Sequence, residues 1–218
     1  MLDVTVRGAG VFGLAIALTC LERGAKVRVI DPGGPGAGAS GGLVGALAPH
    51  TPDNWNTKKA FQFACLRDAP RHWARVSALS GQDAGYDQAG RLQPLPTERV
   101  VALAERRAAD AARHWGSDFS WCVTSAPGAS PWAPPSPTGS YLFDSISARI
   151  QPRRACAALA SAIVALGGSI EREGEDHGCV IHATGWQGLL ALSKDLGRPF
   201  GSGVKGQAVL LRAAAPPG

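Results

Sequence analysis

The sequence predicts an α/β fold built around a mostly parallel sheet wrapped by helices. Three observations predict it. Glycines 8, 10 and 13 stand between a β-branched run and an apolar helical stretch. A second β-branched run follows and ends in an acid, Asp31. After a long stretch patterned differently, helix and strand signals of the first kind resume and close on Ala183-Thr184-Gly185.

Leu2–Val6 is an apolar run that reads as a buried strand, and Val11–Arg23 reads as a helix that Gly24 ends. Val27–Ile30 supplies the second strand. Gly8, Gly10 and Gly13 spell G-x-G-x-x-G between the first strand and the helix, and Asp31 lies about 20 residues further on, as the dinucleotide fingerprint requires. Gly8 permits the tight turn, Gly10 lets a pyrophosphate approach the backbone, and Gly13 lets helix and strand pack closely. The N–H groups that open the helix favour a phosphate. Asp31 is suited to accept both hydroxyls of an adenosine ribose. Pro32-Gly33-Gly34 offers no adjacent Arg to a 2′-phosphate.

Residues 33–48 are rich in glycine but also carry Leu43, Val44 and Leu47, which a linker would not need. Backbone stripped of large side chains lets a flat, extended ligand lie against it. A flavin needs such a platform and a nicotinamide does not, so a plain NAD-dependent dehydrogenase ranks lower.

From Asn56 to Gly81 the apolar positions recur at helical spacing, and Pro70 is expected to kink or break the element into two helices. His72 beside Trp73 reads as a structural histidine. Tyr86–Pro94 reads as short strands with a turn at Gly90, and Thr97–Trp115 as an Ala-rich helix stopped by Gly116. Arg106, Arg107 and Arg113 share that helix with Glu98, Glu105 and Asp110, the pattern of a solvated face rather than a nucleic-acid patch. Residues 125–140 are crowded with Pro, Ser and Gly and read as an extended loop. Tyr141–Phe143 is a strand, and 153–166 is a helix that buries Ala158, Leu159, Ala162, Ile163 and Leu166. A turn at Gly167-Gly168 leads to a strand, and Cys179–His182 is a buried strand running into Ala-Thr-Gly.

A chain of 218 residues, 45% hydrophobic, makes one large or two small globular domains. No apolar run is long enough to span a membrane, and no signal peptide precedes the first strand, so a cytoplasmic protein is expected. The five cysteines are scattered with no paired spacing, which argues against a disulfide framework or a zinc site. The net charge of +5 is dispersed and calls for no DNA partner. No Ser-His-Asp order, paired carboxylates or metal-ligand spacing stands out. The catalytic residues therefore stay unassigned, and no metal is expected.

Gly38-Ala39-Ser40-Gly41-Gly42 followed by Gly45-Ala46-Leu47-Ala48-Pro49 resembles the flavin-side loop of the D-amino-acid oxidase and glycine oxidase family. Pro152 before a helix, the strand after Gly167-Gly168 and Ala183-Thr184-Gly185 continue the resemblance. It implies a Rossmann-like FAD-binding domain of residues 1–50 and 145–202, interleaved with an α+β substrate domain of 51–144 and 203–218. Val204–Gln207 would be a strand re-entering the substrate domain. The implied cofactor is FAD. Gly8, Gly10, Val11, Phe12, Gly13, Asp31, Pro32, Ala39, Ser40, Gly45, Ala46, Leu47, Ala183, Thr184 and Gly185 would bind it. The implied activity is oxidation of a small amine or amino acid by hydride transfer to the flavin.

Two readings compete with it. One is an FAD domain like that of the bacterial bifunctional enzyme that matures a tRNA wobble uridine. The other is a truncated, non-catalytic protein that retains FAD or merely the fold, either as a flavin-binding subunit completed by a separate chain or as a remnant. The resemblance breaks in two places. A short charged turn, 171–179, replaces the family's β-hairpin on the adenine side. The match covers about the first two thirds of a family member, without the Arg that grips the substrate carboxylate or the segment that closes over the flavin.

Overall fold

The computed structural model describes residues 2–125 and 133–210. In chain order its elements are β1 (Val4–Arg7), α1 (Val11–Glu22), β2 (Val27–Ile30), a 3-10 turn (Ala39–Gly41), β3 (Gly45–Leu47), α2 (Thr57–Ser80), β4 (Arg91–Pro94) and α3 (Glu98–Trp115). Then come β5 (Trp121–Ser125), β6 (Ser140–Asp144), β7 (Ala148–Ile150), α4 (Pro152–Ala165), β8 (Ser169–Glu171), β9 (Cys179–His182) and α5 (Gly185–Asp195). The chain forms two compact units. Among the described residues the first comprises 2–45, 72–86 and 150–210, and the second 46–71, 87–125 and 133–149. Residues 72–86, placed with the substrate domain on sequence grounds, pack with the first unit.

The first unit is built on a parallel sheet in the order β8-β2-β1-β9. Val4, Thr5, Val6 and Arg7 align with Val27 to Ile30 on one side and with Cys179 to His182 on the other. β-branched residues fill β1 and β2, which lie inside the sheet and bury Thr5, Val6, Val27, Val29 and Ile30, whereas β9, expected to be buried, is an edge strand with Cys179 and His182 exposed. Val6, Val29, Leu14, Leu159 and Ile163 are fully buried in one core. Thr5 is the polar exception. Its hydroxyl donates to the His177 carbonyl at 2.8 Å and accepts the His177 N–H at 3.0 Å, so the burial leaves no unpaired group. α4 begins with Pro152 at its first position, where the missing N–H costs nothing.

The charged turn after β8 is held by arginines of the sheet. Arg7 Nε meets Asp176 at 2.7 Å, Arg7 Nη2 donates to the Gly174 carbonyl at 2.9 Å, and Arg28 Nε lies 3.3 Å from Glu171.

In the second unit β6 is the central strand of an antiparallel sheet, order β4-β6-β5. Alternation puts Trp121, Leu142 and Asp144 on one face, where Trp121 and Leu142 pack with Val101, Ala104 and Trp115 of α3. Thr97 caps α3 by accepting the Val100 N–H, and Gly116, at φ 73°, ends it.

Two expectations differ from the structure. Pro70 neither ends nor splits its helix, since α2 runs unbroken from Thr57 to Ser80. A mid-helix proline costs about 3 kcal/mol. Here Leu66 is buried in the core of the second unit and Val76 in that of the first, so both halves of the helix are anchored. Val204–Gln207 is not a strand, and Val204 is 96% exposed. Among the described residues no strand lies beside it to supply a hydrogen-bond ladder. Part of the expected 125–140 loop, residues 126–132, falls outside the described residues, as do 211–218.

Candidate functional site

The site is assembled within the first unit, where the C-terminal ends of parallel strands meet the N-terminus of a helix. Gly8 follows β1 at φ 110°, and its N–H donates to the Ile30 carbonyl at 2.8 Å. A β-carbon there would sit 2.3 Å from the Ala183 carbonyl oxygen. Glycine is therefore required both by the turn and by the close passage of the chain leaving β9. Gly13 is tighter still, because a β-carbon would fall 1.8 Å from the Gly8 carbonyl oxygen. Gly10 caps α1 without any side-chain hydrogen bond, and its missing side chain leaves a gap bordered by Ser40 Oγ.

The first turn of α1 carries no acidic side chain. Ser40 accepts the Val11 N–H at 3.0 Å. The N–H groups of Phe12 and Gly13 lie in the turn that has no intrahelical acceptor. Phe12 itself is 78% exposed. Open N–H groups, the positive end of the helix dipole and backbone without side chains together suit a phosphate.

Asp31 follows β2 and is fully engaged by backbone. Oδ2 accepts the Ala9 N–H at 2.7 Å, and Oδ1 accepts those of Gly33 and Gly34 at 2.9 and 3.2 Å. The carboxylate is thus held over the glycine-rich turn by three of its roughly four lone pairs, which leaves one on Oδ2 for a ribose hydroxyl. Pro32 lies beside it. Its carbonyl accepts a hydrogen bond from Arg172 Nη1 at 2.8 Å, so the fold supplies an arginine that the neighbouring sequence lacks. Nothing in the local sequence gave it away, because it comes from the end of β8, which pairs with β2.

Ala39 and Ser40 form the 3-10 turn of the glycine-rich loop, which α4 holds in place. Arg153 Nε donates to the Gly41 carbonyl at 2.7 Å, and the Cys156 thiol lies 3.7 Å from the Ser40 carbonyl. Burial pushes the Cys156 thiol up from its ordinary value. The Gly36 N–H donates to the Ala9 carbonyl at 2.8 Å, closing the loop back on the glycine turn. Ala183, Thr184 and Gly185 join β9 to α5. The Ala183 N–H donates to the Arg7 carbonyl at 2.7 Å, and Gly185 takes φ 64°.

Gly8, Gly10, Val11, Phe12, Gly13, Asp31, Pro32, Ala39, Ser40, Ala183, Thr184 and Gly185 therefore all belong to the first unit. Gly45 belongs to it as well, but its missing side chain is already accounted for, since a β-carbon would lie 2.4 Å from the Ile150 carbonyl oxygen. Ala46 and Leu47 belong to the second unit. His72 lies edge-on to Trp73, their ring centroids 5.0 Å apart. Arg107 is not a freely solvated charge, because it forks onto Asp53 at 2.9 Å. Among the described residues no group of three His, Cys, Asp or Glu is placed to hold a metal, and no helix is long and apolar enough to cross a membrane.

Comparison with known proteins locates this architecture. The family profile described as FAD dependent oxidoreductase matches residues 3–217. The fold superposes on glycine oxidase from Geobacillus kaustophilus with a TM-score of 0.73 at 19% identity, covering 89% of this chain and 58% of that one. It superposes on L-amino acid deaminase from Proteus vulgaris with a TM-score of 0.70 at 19% identity, covering 91% and 50%. By sequence, 106 residues are 36% identical to the tRNA 5-methylaminomethyl-2-thiouridine biosynthesis bifunctional protein MnmC of Shewanella amazonensis, 48% of this chain and 15% of that protein. The bifunctional protein ThiO/ThiG of Trichormus variabilis is 34% identical over 96 residues, 43% of this chain and 14% of that protein. The chain thus spans a little over half of the glycine oxidase and a small part of the bifunctional proteins.

Proposed function

Because the chain belongs to the FAD-dependent oxidoreductase family, we propose that it takes part in oxidising a small amine or amino acid, with FAD as the electron acceptor. The observation that carries the reading is a family match across 3–217 combined with an α1 N-terminus bare of acidic side chains. When bound, FAD supplies a hydride acceptor for the carbon next to the amine.

The chain's own residues would do the holding. N–H groups of Phe12 and Gly13 would meet the pyrophosphate across the space left by Gly10. Asp31, fixed by Ala9, Gly33 and Gly34, would accept a ribose hydroxyl on Oδ2. Ala39 and Ser40, backed by Arg153 and Cys156, would border the middle of the cofactor, and Ala183-Thr184-Gly185 the strand end beneath it. Gly45, Ala46 and Leu47 would border the flavin.

The test is an anaerobic half-reaction. The FAD-loaded chain is mixed with glycine, sarcosine, L-proline and the two alanine enantiomers while the oxidised flavin band is followed. Bleaching by one of them supports the proposal. A band that dithionite bleaches and no amine does would contradict it. A second reading, action on a substituted aminomethyl group of a tRNA 2-thiouridine, is supported by the 36% identity to MnmC. Bleaching by such a tRNA and by none of the free amines would favour it.

A further inference from the structure

The second unit contains a cavity of about 300 Å³, bounded by residues 49–51, the sheet and α3. It is a cleft partly open to solvent, and about 300 Å³ is where small-molecule pockets begin. Its walls are of two kinds. Leu95, Ala104, Trp121 and Leu142 form an apolar side, whereas Arg91, Arg107, Gln93 and His50 bring donors to the other.

The two arginines are only partly used. Arg91 Nε donates to Asp144 Oδ2 at 3.0 Å, and Asp144 is fully buried, also accepting the Ser147 N–H at 2.9 Å. That bond uses one of the five N–H groups of a guanidinium. Among the described residues the two Nη groups of Arg91 have no acceptor. Arg107 directs Nε and Nη2 at Asp53, each at 2.9 Å, leaving Nη1. The side chains of Gln93 and His50 make no hydrogen bond among the described residues. Donors therefore outnumber acceptors in a partly desolvated space. The charge balance agrees, because Arg91, Arg107 and Lys59 stand against Asp53 and Asp144, one positive charge in excess.

We propose that this cavity binds a small monocarboxylate. Its carboxylate lies on the free Nη edge of Arg91, beside Arg107 Nη1, and its apolar body rests on Trp121, Leu142 and Ala104. A planar guanidinium edge matches two carboxylate oxygens, one excess positive charge matches a monoanion, and the apolar wall selects a hydrocarbon body over a hydrated inorganic ion. The site lies wholly within the second unit and involves none of the residues assigned above to FAD.

The test is calorimetric titration of the full FAD-loaded chain with hexanoate, and with hexanamide as the uncharged match. Hexanoate is expected to saturate a single site and to bind at least about tenfold more tightly than hexanamide. Arg107→Gln leaves Asp53 paired with Lys59, and Ala104→Leu fills the void while keeping the Ala104 carbonyl that Trp121 Nε1 uses at 3.0 Å. Each is expected to weaken hexanoate by about tenfold or more, and Arg113→Gln, on an exposed part of α3, to leave it unchanged. Gln93→Leu serves as a further probe of the same wall if Ala104→Leu does not fold. The proposal is overturned by any of three results: no saturable hexanoate binding, equal binding of hexanoate and hexanamide, or unchanged binding in the folded cavity variants.

Discussion

The Ser40 hydroxyl accepts the Val11 N–H at 3.0 Å, so a residue of the glycine-rich loop completes the first turn of a helix that precedes it by 29 positions. The loop is thereby fixed at the one place where the helix leaves its N–H groups open. Ser40→Ala removes that acceptor and is expected to lower stability by about 1 kcal/mol, the usual cost of losing a helix-terminal hydroxyl. Urea unfolding with an unchanged m-value reads the loss, and Ser40→Thr is expected to retain most of the stability.

Asp31 presents a sharper case. Three backbone N–H groups converge on its carboxylate. Asp31→Ala strands all three, and is expected to cost about 1–3 kcal/mol of stability and to weaken FAD by about tenfold or more. Asp31→Asn keeps one oxygen and should fall between wild type and alanine in both. Flavin fluorescence titration and thermal unfolding on the same samples separate the two effects.

Gly13→Ala would place a methyl group 1.8 Å from the Gly8 carbonyl oxygen and 3.3 Å from the Ala183 side chain. The nearer obstacle is the Gly8 backbone carbonyl, which cannot swing aside as a flexible side chain could. The variant is expected to be recovered unfolded or aggregated. Gly42→Ala, whose nearest contact is 3.7 Å away at negative φ, is the matched control and should fold normally. Circular dichroism of the two preparations decides the point.

The first unit was legible in the sequence because its signals are local. The β-branched runs, the three glycines and Asp31 sit at spacings that only a strand-turn-helix-strand unit satisfies, and the structure closes them into a parallel sheet. What escaped was set by partners distant in the chain. Pro70 lies inside a continuous helix with buried Leu66 in the half before it and buried Val76 in the half after it, and periodicity alone does not report burial. Arg172 reaches Pro32 only because β8 pairs with β2 across 140 residues. The Arg107–Asp53 pair likewise spans 54 positions, whereas on the sequence Arg107 is one of several charges on a helix face.

His72 makes the fold sensitive to pH. Burial, with Arg75 beside it, holds the imidazole below the ordinary value of 6.5, although Glu22 pulls the other way. Below the ordinary value the unfolded chain takes up a proton that the folded chain resists, so stability falls as pH drops through this range and levels off below the depressed folded value. His72→Gln is expected to flatten the change. Urea midpoints for both proteins between about pH 5 and 8 test it, and parallel curves would contradict it.

The central claim is that the chain's own glycine turn, α1 N-terminus and Asp31 hold FAD. Titrating the purified, folded 218-residue chain with FAD while following flavin fluorescence and the visible absorption band tests this most directly. The account predicts saturable binding at one site per chain that Asp31→Ala weakens while the protein remains folded. A folded sample that leaves the flavin signals unchanged at excess FAD, or binds equally well without the Asp31 carboxylate, would contradict it.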